Sequence, residues 1–528
     1  MNELVWTVEL ESGESFTGTA AAEGEVRILT DLPEGRLKSV AAQMHLPRRE
    51  TDRVFLNGFQ SWSHCPERGS RDILRGLSHL PRLGVRSFGL EKYGDYYFLP
   101  YPEQEGVSHG ESYGYFRRGE EYHLVASLDE TNGYTLLEYD FQSGMLRMRR
   151  DCGGLRCGGT FRAFDLFFAA GGEDEVFDAW FAAMGVRPRT EEKIAGYSSW
   201  YNRYQNIDAA CIRSDLAACA EELSPGDLFQ IDDGWEPKVG DWLTPDRKKF
   251  PRGLKPLADD IHARGLRAGL WLAPFVCQRG SEIWKKHRDW LLDYNGRPWF
   301  CGVNWGGFYS LDIDKPAVQS YLQQVFRRVL DEWGFDLVKL DFLYGAAPLG
   351  SETETRAGRM IRAMELLREL CGEKLILGCG VPLMPAFGRV DYCRIGCDVG
   401  LDWDGSRLMQ LTHRERVSTR QSIENTVYRR QLNGRAFGND PDVFFLRTEN
   451  LKLTEKQKRT LAEVNALLGD VWLTSDDMGR YSEKQRKRYR ELRALREAEN
   501  LRVAVDGGIE IRCTAGGEER VFSVDTGK

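Results

Sequence analysis

The sequence predicts two kinds of folding unit, an all-β region at the N-terminus followed by a (β/α)8 barrel. Up to about residue 170, short alternating apolar runs are separated by turn signals such as Asn57-Gly58 and Asn132-Gly133. This pattern is typical of many-stranded antiparallel sheets. From Ala195 onward, eight apolar runs alternate with helical patterns, as in a parallel barrel. The 528 residues also exceed one ordinary hydrophobic core, so several domains are expected.

We predict four segments along the chain. Residues 1–172 form an N-terminal β-sandwich, and residues 173–192 form a linker with a helix from Glu173 to Met184. Residues 193–498 form the catalytic barrel, and residues 499–528 form a short C-terminal β element. The alternative to the barrel is a doubly wound open sheet. It is less favoured because no G-x-G-x-x-G opens a helix after the first strand.

The barrel elements follow from the alternation of patterns. Strands are expected near 195–201, 227–233, 267–275, 335–342, 374–380, 390–397, 434–439 and 470–474. Helices are expected over 208–223, 255–264, 316–333, 352–371, 413–431 and 454–468. Active sites of such barrels are built at the carboxyl ends of the strands. Polar residues at the predicted strand ends are therefore candidates for function.

The composition argues against some classes of protein. With 72 basic and 80 acidic residues the net charge is −8, which does not fit a nucleic-acid binder. The N-terminus lacks a basic start followed by an apolar run, and no run of about 18 apolar residues exists, so neither a signal peptide nor a membrane span is expected. The 12 cysteines are scattered without a dense framework, which favours reduced thiols and a cytoplasmic location.

Two predicted strand ends carry carboxylates. The run from Phe335 to Phe342 contains Lys339 and Asp341, and a second run, which begins at Val390, ends on Asp398. A lone acid at the end of a buried strand is costly to hide, so a functional reason is expected. Two such acids on one barrel edge are what a glycosidase uses, one as the nucleophile and the other as the proton donor.

Neighbouring residues complete this chemistry. Lys339 shares a strand face with Asp341, and a nearby cation favours the ionised nucleophile. We expect the proton donor to have a raised pKa, from burial or from its carboxylate neighbour. The tandem Asp232 and Asp233 can hold two adjacent sugar hydroxyls. Taken alone, this tandem is a common turn or helix cap, and Trp271 alone is a core residue; the argument rests on their coincidence at one edge.

The ordered motifs resemble those of α-galactosidases of glycoside hydrolase family 36, the melibiase type. They span about residues 50 to 480 in order and without large gaps. The motifs are Asn57-Gly58-Phe59-Gln60-Ser61-Trp62, Ser199-Trp200-Tyr201, Asp232-Asp233-Gly234-Trp235, Gly269-Leu270-Trp271-Leu272-Ala273-Pro274-Phe275, Val338-Lys339-Leu340-Asp341, Gly378-Cys379-Gly380, Arg394-Ile395-Gly396-Cys397-Asp398 and Asn439-Asp440-Pro441-Asp442.

The resemblance implies a retaining exo-α-galactosidase that cleaves terminal α-galactosyl residues from oligosaccharides such as melibiose and raffinose, without a metal or another cofactor. Asp341 matches the nucleophile and Asp398 the acid/base. Asp232 and Asp233 match the acids that bind the galactose hydroxyls O4 and O6. The other positions that match the sugar pocket are Lys339, Cys379, Arg394, Trp200, Tyr201, Trp271 and, from the β-sandwich, Trp62.

The expected partner is thus a small α-galactoside, with no nucleic acid and no membrane. The resemblance also implies that some long relatives assemble as tetramers, and for this shorter chain a homo-oligomer is one possibility. The alternatives are a galactosyltransferase of the raffinose-synthase type, an α-N-acetylgalactosaminidase and a catalytically silent sugar-binding protein. Cys379 with its close glycines favours a tight pocket for a free 2-hydroxyl, and the presence of both Asp341 and Asp398 argues against a silent protein.

Overall fold

The computed structural model describes residues 3–410 and 414–527. The chain divides into two compact units. The first unit combines the chain up to Arg187 with residues 347–366 and 382–389. The second unit contains residues 188–346 and 367–381 and the chain from Val390 onward. The four predicted segment boundaries stay predictions.

The first unit contains ten antiparallel strands. They are Glu3–Leu10, Ser15–Ala21, Gly24–His45, Arg53–Leu56, Val107–Glu111, Tyr113–Arg118, Glu121–Ser127, Thr135–Asp140, Met145–Arg150 and Arg156–Gly171. The long strand Gly24–His45 joins two halves, because it pairs first with Arg156–Gly171 and then with Met145–Arg150. Buried apolar residues of both halves, such as Val125 and Leu146, belong to one cluster. The antiparallel strands agree with the predicted all-β region.

A helix follows the β region in the chain. It runs over Glu173–Met184 and ends at Gly185, which has a φ of 65°. These are the predicted bounds, and a left-handed glycine is a common helix end. The helix buries Phe177 and Trp180, and the indole of Trp180 donates to the carbonyl of Ser127 at 2.9 Å. Short helical turns also lie at Arg82–Phe88, Leu90–Lys92 and Leu383–Ala386.

The second unit contains the predicted barrel of eight parallel strands. They are β1 (Ile194–Ser198), β2 (Leu228–Ile231), β3 (Arg267–Leu272), β4 (Leu337–Leu340), β5 (Leu375–Gly378), β6 (Tyr392–Arg394), β7 (Gly438–Asp440) and β8 (Val471–Thr474). The order is β7-β6-β5-β4-β3-β2-β1-β8, so sequence neighbours pair from β1 to β7, and β8 pairs with β1. Between β7 and β8 the ring is bridged at Phe444 and Thr474. The strands are almost wholly buried, as expected for a parallel sheet that is covered on both faces.

Helices follow most of the strands close to the predicted positions. They are Trp200–Arg203, Ala209–Ala218, Lys255–His262, Glu282–Lys286, Pro316–Phe326, Arg356–Cys371, Arg407–Gln410, Thr419–Tyr428, Glu455–Leu468 and Glu483–Leu495. A π-helical turn, Arg327–Glu332, extends the fifth of these, and 3-10 turns lie at Arg288–Trp290, Asn304–Gly306, Leu343–Ala346, Arg430–Leu432 and Met478–Arg480. No helix in the described ranges combines the length and apolar character that crossing a membrane requires.

Three small antiparallel sheets complete the second unit. An insertion between β3 and β4 contains the strands Val276–Gln278, Phe300–Gly302 and Phe308–Ser310 and the hairpin Asp293–Tyr294 with Arg297–Pro298. The chain ends in a three-stranded sheet of Glu499–Ala504, Ile509–Ala515 and Glu518–Val524. This C-terminal sheet is the short β element that the sequence predicts after the barrel.

Candidate active site

Four aspartates lie at the carboxyl edge of the barrel. Asp232 and Asp233 follow β2 directly, Asp341 follows β4 directly, and Asp398 lies four residues beyond Arg394, the last residue of β6. Because the strands are parallel, their carboxyl ends meet at one edge. The topology therefore brings together the strand ends that the sequence singles out.

Two nitrogen donors bind the carboxylate of Asp341. The backbone N–H of Phe342 donates to Oδ1 at 2.8 Å, and the indole Nε1 of Trp271 donates to Oδ2 at 3.1 Å. Phe342 has a φ of 52°, which is rare for a bulky residue and costs about 1–3 kcal/mol. Backbone strain is therefore located next to the Asp341 carboxylate, as is common at functional sites.

The charges around Asp341 act in opposite directions. Burial raises the pKa of its carboxyl, the ammonium of Lys339 lowers this pKa, and the carboxylate of Asp398 raises it, with an upward net shift. A like charge raises a carboxyl pKa appreciably only at short range. Asp398 is thus one of the charged groups that shift the pKa of Asp341.

Cys379 supplies a third contact to Asp341. It follows β5, its N–H donates to the carbonyl of Leu340 at 2.8 Å, and its thiol hydrogen-bonds to the Asp341 carboxylate. Burial, and then the charge of Asp341, raise the pKa of the thiol well above its ordinary value. The thiol therefore stays protonated and is a donor to the carboxylate.

Asp232 is the partner of the buried lysine. The ammonium of Lys339 donates to Oδ2 of Asp232 at 2.9 Å, and the amide of Gln230 donates to the same oxygen at 2.8 Å. Oδ1 accepts from the N–H of Asp233 at 3.0 Å. Burial lowers the pKa of the ammonium, but the carboxylates of Asp232 and Asp341 raise it, and the net shift is upward. Lys339 is therefore a permanent cation between two acids.

The two carboxylate oxygens of Asp233 differ in their donors. Gln205 Nε2 and Trp305 Nε1 donate to Oδ2 at 2.8 and 2.9 Å. Oδ1 is buried, and no N–H of the described residues donates to it. Burial and the charge of Asp233 raise the pKa of the neighbouring Glu236 carboxyl well above its ordinary value, and the two carboxyls are hydrogen-bonded. Asp233 thus keeps acceptor capacity beside a neutral carboxylic acid.

Asp398 is paired with an arginine. Arg394 Nη1 donates to its Oδ1 at 2.8 Å, and the side chain is 41% exposed. The sequence analysis expects the proton donor to be buried or to have a carboxylate neighbour. Of the two acids, however, the buried one is Asp341, which is 8% exposed. Arg394 also contacts Asp440 at 3.1 Å and Asp442 at 2.9 Å. One guanidinium thus forms salt bridges to three carboxylates.

The aromatic candidates differ in their exposure. Trp271 is buried with its indole on Asp341, and Tyr201 is buried with its hydroxyl donating to Asp442 at 2.5 Å. Trp200 is partly exposed on the turn after β1. Trp62 is partly exposed and belongs to the first unit. Its predicted reach into the sugar pocket stays a prediction.

The sequence analysis assigns no role to several residues that contact these acids and Arg394. They are Ser198, Gln205, Gln230, Glu236, Trp305, Asp440 and Asp442. Gln230 stands two residues before Asp232, so strand alternation alone would place both on one face. Trp305 lies in the insertion after β3, where no periodic pattern marks it. Asp440 and Asp442 belong to a motif to which the sequence assigns no role.

Sequence comparisons find relatives of the barrel. A family model described as Melibiase matches residues 191–364. An alpha-galactosidase of Escherichia coli is 30% identical over 175 residues, which cover 31% of this chain and 24% of that protein. Alpha-galactosidase AgaA of Geobacillus stearothermophilus is 31% identical over 170 residues, which cover 31% of this chain and 22% of that protein. The matched part is thus about a quarter of the length of these curated relatives.

Structural comparisons extend over nearly the whole chain. TtGalA, an alpha-galactosidase of Thermus thermophilus solved with stachyose, is 30% identical with a TM-score of 0.72, over 89% of this chain and 99% of that chain. Its complex with p-nitrophenyl α-D-galactopyranoside has a TM-score of 0.75 at 28% identity, over 94% and 98%. The GH36 alpha-galactosidase AgaA of Geobacillus stearothermophilus has a TM-score of 0.59 at 14% identity, over 97% and 79%, and supports the fold alone.

Proposed function

This chain belongs to glycoside hydrolase family 36, the melibiase family of α-galactosidases, and on that premise we propose that it removes terminal α-D-galactosyl residues from oligosaccharides with retention of configuration. Asp341 is the nucleophile and Asp398 the acid/base. The observation that supports this assignment best is the pair of carboxylates itself. Asp341 is buried and bound by Trp271 and Phe342, while the half-exposed Asp398 is a second carboxylate whose charge raises the pKa of Asp341.

In the first step, an oxygen of Asp341 attacks C1 of the galactosyl group. The bond from C1 to the glycosidic oxygen breaks, and Asp398 gives its proton to that oxygen. The product is a covalent galactosyl ester of Asp341 and a free leaving group. The donors Phe342 N–H and Trp271 Nε1 fix the orientation of the attacking carboxylate, which lowers the entropic cost of reaching the transition state.

In the second step, the carboxylate of Asp398 removes a proton from a water molecule. The water oxygen bonds to C1, the ester bond to Asp341 breaks, and Asp398 is protonated again. Two inversions at C1 give net retention. Asp398 must exchange protons with water and with a leaving group, which suits a side chain that is 41% exposed better than one that is sealed in the barrel.

The remaining polar groups bind the sugar in this proposal. Asp232 and Asp233 accept hydrogen bonds from O4 and O6, and Lys339, Arg394 and Cys379 surround the other hydroxyls. The buried Oδ1 of Asp233, which accepts from no N–H in the described chain, supports such a role because a sugar hydroxyl would supply a donor to it. The relative TtGalA, which was solved with stachyose, supports oligosaccharides of this type as substrates.

The test is hydrolysis of three p-nitrophenyl glycosides by the purified chain, namely the α-galactoside, the α-N-acetylgalactosaminide and the α-glucoside. We expect release of p-nitrophenol from the α-galactoside only, and none from any of them with Asp341→Ala. Cleavage of the N-acetyl sugar instead would preserve the mechanism and overturn the substrate. Transfer of galactose to an added sugar in place of water would favour the transferase. Binding of galactose without any cleavage would favour a silent sugar-binding protein.

A further inference from the structure

Asp442, a buried residue just beyond β7, accepts three hydrogen bonds close to the proposed acid/base Asp398. Asp442 is 2% exposed. Its Oδ1 accepts from Nη2 of Arg394 at 2.9 Å, and its Oδ2 accepts from the N–H of Val399 at 2.8 Å and from the hydroxyl of Tyr201 at 2.5 Å. A carboxylate with donors on both oxygens has a fixed orientation.

Asp442 contacts one residue before Asp398 in the sequence and one residue after it. Arg394 stands four residues before Asp398 and donates to it through Nη1 at 2.8 Å. Val399 is the residue immediately after Asp398, and its N–H is the one that Asp442 accepts. The carboxylate of Asp442 thus binds the chain segment that contains Asp398 both before and after that residue.

The backbone at Asp442 is strained. Its φ of 75° lies in the left-handed region, which residues with a side chain rarely adopt, although aspartate and asparagine tolerate it best. The N–H of Asp442 donates to Oδ1 of Asp440 at 2.9 Å. Strain of this kind persists where the surroundings determine the conformation, and it is frequent at functional sites.

The charges show that Asp442 and Asp398 compete for one cation. Burial raises the pKa of the Asp442 carboxyl, Arg394 lowers it, and the carboxylates of Asp398 and Asp440 raise it, giving a pKa of about 6. Burial lowers the pKa of Arg394, but Asp442 and then Asp440 raise it, so the guanidinium stays charged. The position of the Arg394 guanidinium therefore depends on Asp442 and Asp440 as well as on Asp398.

We propose that Asp442 is the positioning residue for the acid/base Asp398, which it orients through the Arg394 guanidinium and the Val399 N–H. This inference rests on the proposed function. Asp442 does not exchange a proton with the substrate. It fixes the rotamer and the hydrogen-bond partner of Asp398, so that the carboxyl faces the leaving-group oxygen when the glycosidic bond breaks. Loss of Asp442 should therefore resemble a partial loss of proton donation.

The test variant is Asp442→Asn, since asparagine has the same shape and also tolerates the left-handed backbone. It removes the charge that binds Arg394 and leaves the fold in place. We expect kcat/KM to fall at least tenfold for melibiose, whose sugar leaving group needs a proton, and less than threefold for p-nitrophenyl α-galactoside. Asp391→Asn is the matched control. Asp391 is also buried and accepts a hydrogen bond from an arginine, Arg368, at 2.9 Å, but it lies before β6, on the opposite edge of the barrel. Its replacement should change kcat/KM for the two substrates by the same factor.

A double-mutant cycle separates a positioning role from a merely structural one. In the Asp398→Ala background, Asp442→Asn should lower kcat/KM for melibiose less than twofold further, because the group that it orients is absent. A full tenfold loss in that background, or equal losses for the two substrates in the single variant, would overturn the inference while the proposed function stands. A wild-type protein that cleaves neither substrate would overturn both.

Discussion

Lys339 donates to Oδ2 of Asp232 at 2.9 Å, although it lies on the strand that ends at Asp341. The sequence places the lysine on the nucleophile's face by strand alternation, and its charge does lower the pKa of Asp341. Its hydrogen bond, however, goes to the acid after β2. One buried cation thus links the proposed sugar-binding carboxylate to the proposed nucleophile.

Lys339→Met should therefore change the pH dependence of the reaction. The ammonium lowers the pKa of Asp341, so its removal raises that pKa further, and a higher pH is needed to ionise the nucleophile. We expect the acidic limb of kcat/KM against pH to move to higher pH, with an increase in KM because Asp232 loses a donor. The pH profile for p-nitrophenyl α-galactoside measures both effects. An acidic limb that stays in place or moves to lower pH would contradict the assignment.

Asp341→Asn should stabilise the protein while it removes activity. The pKa of Asp341 is raised in the folded state, so the folded protein holds this proton more tightly than the unfolded chain does. The contribution of Asp341 to stability is therefore lost as pH rises through the folded pKa. Replacement by the neutral amide should raise Tm on the order of 1–3 °C at pH 7.5 and by less at pH 4.5, as measured by calorimetry.

Asp336→Asn, at the residue that precedes β4, is the control for which we expect the opposite change in Tm. Burial raises the pKa of Asp336, but hydrogen bonds from the Ala268 N–H and His262, together with the charge of Lys374, lower it overall. Such a carboxylate stabilises the fold above its unfolded pKa, and that contribution is lost as pH falls. Asp336→Asn should lower Tm at pH 7.5. A fall in Tm for both variants would show that the burial of Asp341 is not a cost to the fold.

Asp398→Ala should distinguish between leaving groups. Proton donation contributes most when the leaving oxygen is a poor leaving group, and little when it is already acidic. We expect kcat/KM to fall on the order of 10²–10⁴-fold for raffinose and far less for 2,4-dinitrophenyl α-galactoside. Steady-state kinetics with both substrates provide the measurement. Equal losses would show that Asp398 does not act as the acid.

Asp341→Ala should respond to an added nucleophile. The truncated side chain leaves space below C1, and azide is small enough to occupy it and attack in place of the carboxylate. With an activated substrate such as 2,4-dinitrophenyl α-galactoside, azide should restore turnover and yield β-galactosyl azide, because a single inversion takes place. Product analysis by NMR identifies the anomer. No rescue, or an α-azide, would be incompatible with Asp341 as the group that attacks C1.

The sequence predicts the barrel because alternating strand and helix patterns are local, and strand ends of a parallel barrel meet at one edge whatever the side chains are. The partners of each acid are not local. Asp233 contacts Gln205 after β1 and Trp305 in the insertion after β3, and no periodicity connects these segments. The sequence pattern predicts that Asp442 lies near the end of a strand. Its contacts to Arg394 and Val399, however, depend on side-chain geometry. The reach of Trp62, the oligomeric state and the cellular location stay predictions.

The most direct measurement is mass spectrometry of the protein after reaction with 5-fluoro-α-D-galactopyranosyl fluoride. The fluorine at C5 destabilises the positive charge that develops in both steps, while the fluoride leaving group keeps the first step fast, so the covalent intermediate accumulates. We expect the intact mass to increase by one fluorogalactosyl group and the peptide that contains Asp341 to carry it. A label on another carboxylate, or an inverted sugar as the first product from p-nitrophenyl α-galactoside, would contradict a double displacement through Asp341.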